Sequence, residues 1–439
     1  MILRIPDIIT KLFNIMYKSS IIGFFLLSSI IFGGTNMIIF QGAAAQDYYN
    51  DNTQYMDSSS SGYRDDNNKY NNNYYPPKDS DNNNNKKYVC EDGPFEGLFT
   101  SSVEFCKPDI TVPTDFPTIQ AAINASNPGD TIKVLPGTYT EQITISKSLT
   151  IIGSGAKSTI IEAPPLEELE LNVLGLPYIV QINNEAQVSM KGFTIKGPEG
   201  TDCDTLLGIS VLGDATLKLD SAVIKDCTFR SVFVGSLLTP SGPQAGHATI
   251  TKTIITDYQN SGVFAVGPNS TLTMSYNKIV GSNPNAFATI GIFFPFAKGI
   301  ITNNEVSGNI CHLPECGPDF VTQLQAIGIA TVDAGKGSVI SNNYVSNNDA
   351  GIAVVGASGC CIIDYNKLTD NRFFGIVIQD GEHTISNTKI FGGNVGVAAV
   401  AFTANTVAIL DNVKIIGATT PVLEIPSGGF TAEVVFLSN

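Results

Sequence analysis

Ile340-Ser341-Asn342-Asn343-Tyr344-Val345 recurs one repeat later as Ile363-Asp364-Tyr365-Asn366-Lys367-Leu368, and each copy is trailed by a glycine with apolar residues, Gly351-Ile352 and Gly375-Ile376. The frame, an apolar residue followed five positions later by another, also holds at Met274 and Ile279, Ile301 and Val306, Ile385 and Ile390, and Leu410 and Ile415. Its third position carries Asn277, Asn304, Asn343, Asn366, Thr388 and Val413, and a glycine column at Gly262, Gly291, Gly328, Gly351, Gly375 and Gly396 keeps pace. Without insertions the period is about 21 to 25 residues, inside the range of solenoids.

A unit this short cannot bury its own apolar face. Coils stacked about 4.8 Å apart would pair every strand in parallel and line the interior with Ile and Val. The expected fold class is therefore all-β, a right-handed parallel β-helix over residues 111–439. Asn277, Asn304, Asn343 and Asn366 are assigned a structural role, a ladder in which each side-chain amide bonds to the next coil.

Upstream of the repeats the character of the chain changes. Arg4, Lys11 and Lys18 precede an apolar run, Ile21 to Phe40, and then Ala43-Ala44-Ala45, the order of a signal peptide or an uncut signal anchor over residues 1–45. Residues 46–89 are Asn, Asp, Ser and Tyr with almost no aliphatic side chain, a linker with too little apolar surface to order. Residues 90–110 form a lead-in that a Cys90–Cys106 disulfide would close. Pro117 to Asn124 then reads as a short amphipathic capping helix, with Pro117 in its first turn and Ile119, Ala122 and Ile123 on one face. The eight cysteines fit an oxidising compartment, and a net charge of −15 argues against nucleic acid as a partner.

Four stretches carry a resemblance: Pro117 to Asn124, Pro128-Gly129-Asp130-Thr131-Ile132-Lys133-Val134, Pro136-Gly137-Thr138-Tyr139-Thr140-Glu141 and Lys147 to Gly153. On them the chain resembles the pectin-lyase-like right-handed β-helix superfamily, whose opening is similar in pectin methylesterases and in periplasmic copper-protein-maturation β-helix proteins. The resemblance implies the fold and leaves the reaction open. Copper would need soft Met, Cys or imidazole ligands, and His247, His312 and His383 are scattered.

A polysaccharide lyase of this superfamily would use carboxylates to hold calcium against uronates, with a Lys or Arg near the abstracted proton. The folded region has two arginines, Arg230 and Arg372. The repeat places Arg372 beside Asp349, with Asp370 close by, as a candidate catalytic cluster; the plainer alternative is an exposed ion pair. Asp333 and Asp380 each stand five residues after a repeat glycine, two coils or roughly 9.6 Å apart, and form a second catalytic candidate, with Glu382 and His383 following.

Insertions at 164–177, 237–246, 282–289 and 307–324 are expected to gather on one side of the solenoid. Phe287, Phe294 and Phe320 are candidate surfaces for sugar stacking there; of the adjacent Phe293 and Phe294, at most one is expected to be buried. Disulfides are assigned to Cys203–Cys227 and Cys311–Cys316, and the pairing of Cys360 and Cys361 stays open. The leading expectation is an exported or surface-tethered protein that recognises extracellular polysaccharide through these loops, tethered to a membrane if the apolar segment is uncut. A polysaccharide lyase, epimerase or hydrolase is one alternative, and a structural or adhesive surface protein another.

Overall fold

The computed structural model describes residues 110–198, 205–237, 239, 242–281, 288–320, 322–356 and 358–437. The chain winds through three parallel sheets in turn, so that every third strand returns to the same sheet one coil further on. Sheet A has 13 strands, from Ile110–Val112 to Ala432–Phe436. Sheet B has 11, from Gly137–Thr140 to Lys414–Ile416, and sheet C has 11, from Ile143–Ile145 to Thr420–Ile425.

The two apolar columns of the repeat are inward stripes of two different sheets. Met274, Ile301, Ile340, Ile363, Ile385 and Leu410 lie in register along sheet A. Ile279, Val306, Val345, Leu368, Ile390 and Ile415 do so along sheet B. The asparagine between them therefore sits at the corner from A to B. The residue before it adopts a left-handed conformation, as at Tyr276 (φ 59°), Asn303 (57°), Asn342 (56°) and Tyr365 (52°). One such residue turns the chain sharply, at a cost of about 1–2 kcal/mol for a side chain such as tyrosine.

Hydrogen bonds from stacked amides offset that cost. Asn277 Nδ2 donates to Asn304 Oδ1 (2.9 Å), Asn304 Nδ2 to Asn343 Oδ1 (3.1 Å) and Asn343 Nδ2 to Asn366 Oδ1 (3.1 Å). Thr253 N and Thr388 Oγ1 continue the ladder at its two ends. A second ladder at the corner from B to C links Asn309, Asn348 and Asn371, with Nδ2 to Oδ1 distances of 2.8 and 3.0 Å. In sheet C the glycine column marks a close approach between coils. A Cβ on Gly351 would lie 2.6 Å from the Gly375 carbonyl oxygen, and one on Gly375 would lie 2.5 Å from that of Gly396.

The helix at the start spans Ile119–Ala125 and buries Ile119, Ala122 and Ile123. Its N-cap is Thr118, whose hydroxyl accepts from Ala121 N, so Pro117 lies before the cap rather than inside the first turn. The Glu141 carboxylate accepts from Ile119 N (2.9 Å) and Gln120 N (2.8 Å), fixing the helix to the first coil. Among the described residues no helix is long and apolar enough to cross a membrane, and the apolar run at Ile21 to Phe40 lies outside them.

Candidate functional site

Sheet C differs from the other two in being buried on both faces. Its inward column, Ile209, Val232, Val263, Ile292, Ile329, Ile352, Ile376 and Val397, joins the main core. The neighbouring outward column, Phe233, Phe264, Phe293, Ala330, Ala353, Val377 and Ala398, belongs to a second apolar cluster outside the solenoid. Phe293 and Phe294 are therefore both buried, at 3% and 0% exposure, one in each cluster. This corrects the expectation that one must be exposed: alternation sends the two rings to opposite faces, and here both faces are covered.

Loops flank this sheet along both edges. The insertions at 163–177 and 308–326, and the one that begins after Val280, leave sheet B and enter sheet C. The insertion after Val234 lies instead between sheet C and sheet A. The insertions thus border sheet C from two sides rather than gathering on one. Within 308–326, Cys311 is disulfide-bonded to Cys316 and packs with Ala288 and Ala326 in a small apolar cluster of its own.

At the N-terminal end of the outer face, polar groups interrupt the apolar surface. Gln181 pairs in register with Ser210, and Ser210 with Phe233. In the next column Tyr178 pairs with Leu207, Leu207 with Arg230 and Arg230 with Ser261. Gln181 Oε1, Ser210 Oγ and Arg230 Nη2 are buried and have no hydrogen-bond partner among the described residues. Arg230 is 3% exposed, and its Nε donates a long bond to Asn260 Oδ1 (3.3 Å). Its guanidinium carbon lies 5.0 Å from the Phe229 ring centre, 5.3 Å from that of Phe233 and 4.2 Å from that of Phe264. Phe233 and Phe264 stack with centres 5.6 Å apart and planes 6° from parallel. Burial pushes the Arg230 guanidinium down to about 9, which leaves it cationic at neutral pH.

The residues singled out from sequence fall elsewhere. Arg372 Nη2 does meet Asp349 Oδ1, at 2.9 Å, but the Asp349 side chain is fully buried and the pair is not an exposed one. Asp349 Oδ2 accepts from Cys311 N (2.9 Å) and Ala326 N (3.1 Å), while Arg372 Nη2 also donates to Cys311 O (3.2 Å). The pair clamps both ends of the 308–326 loop onto the coil. Burial pushes the Asp349 carboxyl above the usual carboxylate range, against the pull of the two amides and of Arg372. Asp370 is exposed, with a carboxylate oxygen against Gly392, and makes no ion pair with Arg372.

Asp380 is 7% exposed and its carboxylate accepts from Phe402 N, Thr403 N, Ala404 N and the Thr403 hydroxyl, holding the next turn. Asp333 is exposed and lies against Gly356, the position between the two aspartates. Phe294 points into the solenoid, where it meets Gly299, and cannot serve as a sugar platform; Phe320 is buried edge-on against Phe374, with ring centres 5.6 Å apart. Phe287, Cys90, Cys106 and Cys203 lie outside the described residues; Cys227 is disulfide-bonded, and Cys360 is bonded to Cys361. Among the described residues no three His, Cys, Asp or Glu side chains gather as metal ligands.

His383 is buried, its Nε2 donates to Gly356 O (2.8 Å) and its Nδ1 has no partner among the described residues. Burial holds its imidazole below the ordinary value of 6.5. Because folding favours the neutral ring, that stability is complete above the unfolded value of about 6.5 and is lost as pH falls through the window beneath it. A urea midpoint that drops between pH 7.5 and 5, with a shallower drop in His383→Gln, is the expected result. Equal slopes in the two proteins would assign the acid sensitivity to other groups.

Arg230 and its polar neighbours were not assigned a role from sequence. The available signal was that Arg230 is one of two arginines in the folded region and lies in a strand, Thr228–Val234, with no acidic residue inside it.

The family described as right handed beta helix region matches residues 242–413. No curated protein matches the chain by sequence. Among solved structures it is similar to the catalytic unit of the thermostable GH87 alpha-1,3-glucanase from Streptomyces thermodiastaticus strain HF3-3, with 15% identity, a TM-score of 0.47, and 78% of this chain and 70% of that one covered. It is similar to alginate lyase from Paenibacillus sp. str. FPU-7, with 13% identity, a TM-score of 0.40 and coverage of 70% and 94%. It is also similar to the Azotobacter vinelandii mannuronan C-5 epimerase AlgE4 A-module, with 13% identity, a TM-score of 0.40 and coverage of 74% and 100%. Three parallel sheets wound as one coil make the described residues a right-handed parallel β-helix, of which the family match covers residues 242–413.

Proposed function

We propose that this protein recognises an extracellular polysaccharide on the outer face of sheet C, at the polar cluster of Gln181, Ser210 and Arg230. The observation that carries this reading is three buried polar atoms without partners among the described residues, beside the Phe233–Phe264 stack. An unmade hydrogen bond at a buried group costs about 1–3 kcal/mol, so a ligand that makes it gains that much. Sugars match the set, because their hydroxyls both donate and accept. A solenoid floor built from ladders of parallel strands is already ordered, which lowers the cost of binding. The Cys311–Cys316 and Cys360–Cys361 disulfides support an oxidising, extracellular setting.

Recognition is favoured over turnover because the two buried candidate carboxylates, Asp349 and Asp380, accept from internal donors. The test is retention of the full chain on a panel of immobilised neutral and uronate polysaccharides, with the release of new chain ends followed in parallel. Retention without new ends is expected, weakened on the order of tenfold by Ser210→Ala, which removes one hydroxyl at nearly constant volume. No retention of any polysaccharide would end this reading. New ends that vanish in Asp380→Asn would replace it with an enzyme.

A further inference from the structure

The two arginines of the folded region are used differently. Arg372 has the Asp349 carboxylate at 2.9 Å. Arg230 is more deeply buried and has no carboxylate among the described residues, only the Asn260 amide oxygen and three phenylalanine rings. Aromatic faces compensate a buried cation only in part, and a guanidinium with an idle Nη2 is shaped to take a carboxylate side-on.

We infer that Arg230 is the recognition point for one carboxylate of the bound polysaccharide, so that the ligand class is an acidic glycan whose charges are spaced by neutral sugars. This rests on the glycan reading of the same face. The spacing follows from the surroundings. The described side chains shown against Arg230, namely Asn260 and the rings of Phe229, Phe233 and Phe264, are all neutral, and the chain has a net charge of −15. A second carboxylate one sugar along would meet no cation there and would be repelled by the protein as a whole. The approach lies past Phe229 and Asn260, which are half-buried where their neighbours Arg230 and Ser261 are closed off.

The test uses the full chain and three probes: hyaluronan oligosaccharides, in which every second sugar is a uronate; the same oligosaccharides with their carboxyl groups reduced to alcohols; and oligogalacturonate, charged at every sugar. Calorimetry on the wild-type chain is expected to show hyaluronan binding at least tenfold tighter than either of the others. In Arg230→Gln the preference over the reduced form should fall to about one. The wild-type comparison stands even if that variant fails to fold. Equal binding of the native and reduced oligosaccharides would overturn the inference and leave glycan recognition intact, whereas binding of none of the three, together with no retention on the polysaccharide panel, would remove both. The inference also fails if the partner is internal. In that case Asp202→Asn or Asp204→Asn would lower the unfolding midpoint of the wild type and not of Arg230→Gln.

Discussion

Replacing Asn343 by leucine is expected to lower the unfolding free energy by about 1–3 kcal/mol. The two side chains differ little in size, so the loss comes from polar groups rather than from a cavity. Asn343 Oδ1 accepts from Asn304 N (3.0 Å) and Asn304 Nδ2 (3.1 Å), while its Nδ2 donates to Ile301 O (2.8 Å) and Asn366 Oδ1 (3.1 Å). Leucine makes none of these bonds, and the corner is too buried for water to replace them all. Each buried group left without a partner costs about 1–3 kcal/mol, reduced where neighbours relax. Equilibrium urea unfolding is the measurement. A loss below about 1 kcal/mol would show that the ladder follows the coil rather than holding it.

Asp349→Ala is the second change with a large expected effect, about 2–5 kcal/mol. Arg372 is 43% exposed, so its freed charge turns to water at little cost. The loss resides in the amides of Cys311 and Ala326, which give up the carboxylate that accepts from both. Hydrogen exchange at those two amides should rise together, while amides of the neighbouring coils stay protected. Arg372→Met is expected to do less, because the carboxylate keeps both amides, and to raise the Asp349 pKa further, because the guanidinium holds it down. Continued protection at both amides would mean that the Cys311–Cys316 disulfide and the loop's own packing, not Asp349, fasten the loop.

The coil architecture was legible because burial in a solenoid is periodic. Met274, Ile340 and Ile363 had to lie in one stripe once the period was found, and Asn277, Asn304, Asn343 and Asn366 carry amides able to bond both up and down. The second ladder was equally legible and went unread: Asn309, Asn348 and Asn371 each stand five residues after a member of the first. Of the candidate cluster of Asp349, Asp370 and Arg372, the repeat register gave the contact between Asp349 and Arg372 but not its burial. Adjacent-coil register brings side chains together; it does not say that a loop inserted between two earlier strands will fold over them.

The same limit governs the outer face of sheet C. Alternation along a strand assigns Phe293 and Phe294 to opposite faces, and sequence alone then makes one of them solvent-facing. Whether the outer face is wet or covered depends on segments distant in the chain. The sequence by itself determined the stacked parallel strands, the first corner ladder and the interior stripes, since each follows from a repeat that places like residues over like. Only the tertiary structure decided that Asp349 is a buried clamp, that Phe294 fills the lumen, and that Arg230, Ser210 and Gln181 share one face with idle polar atoms. Those outcomes turn on which insertions lie over which coils and on whether a polar atom finds a partner, and neither is encoded by any one repeat.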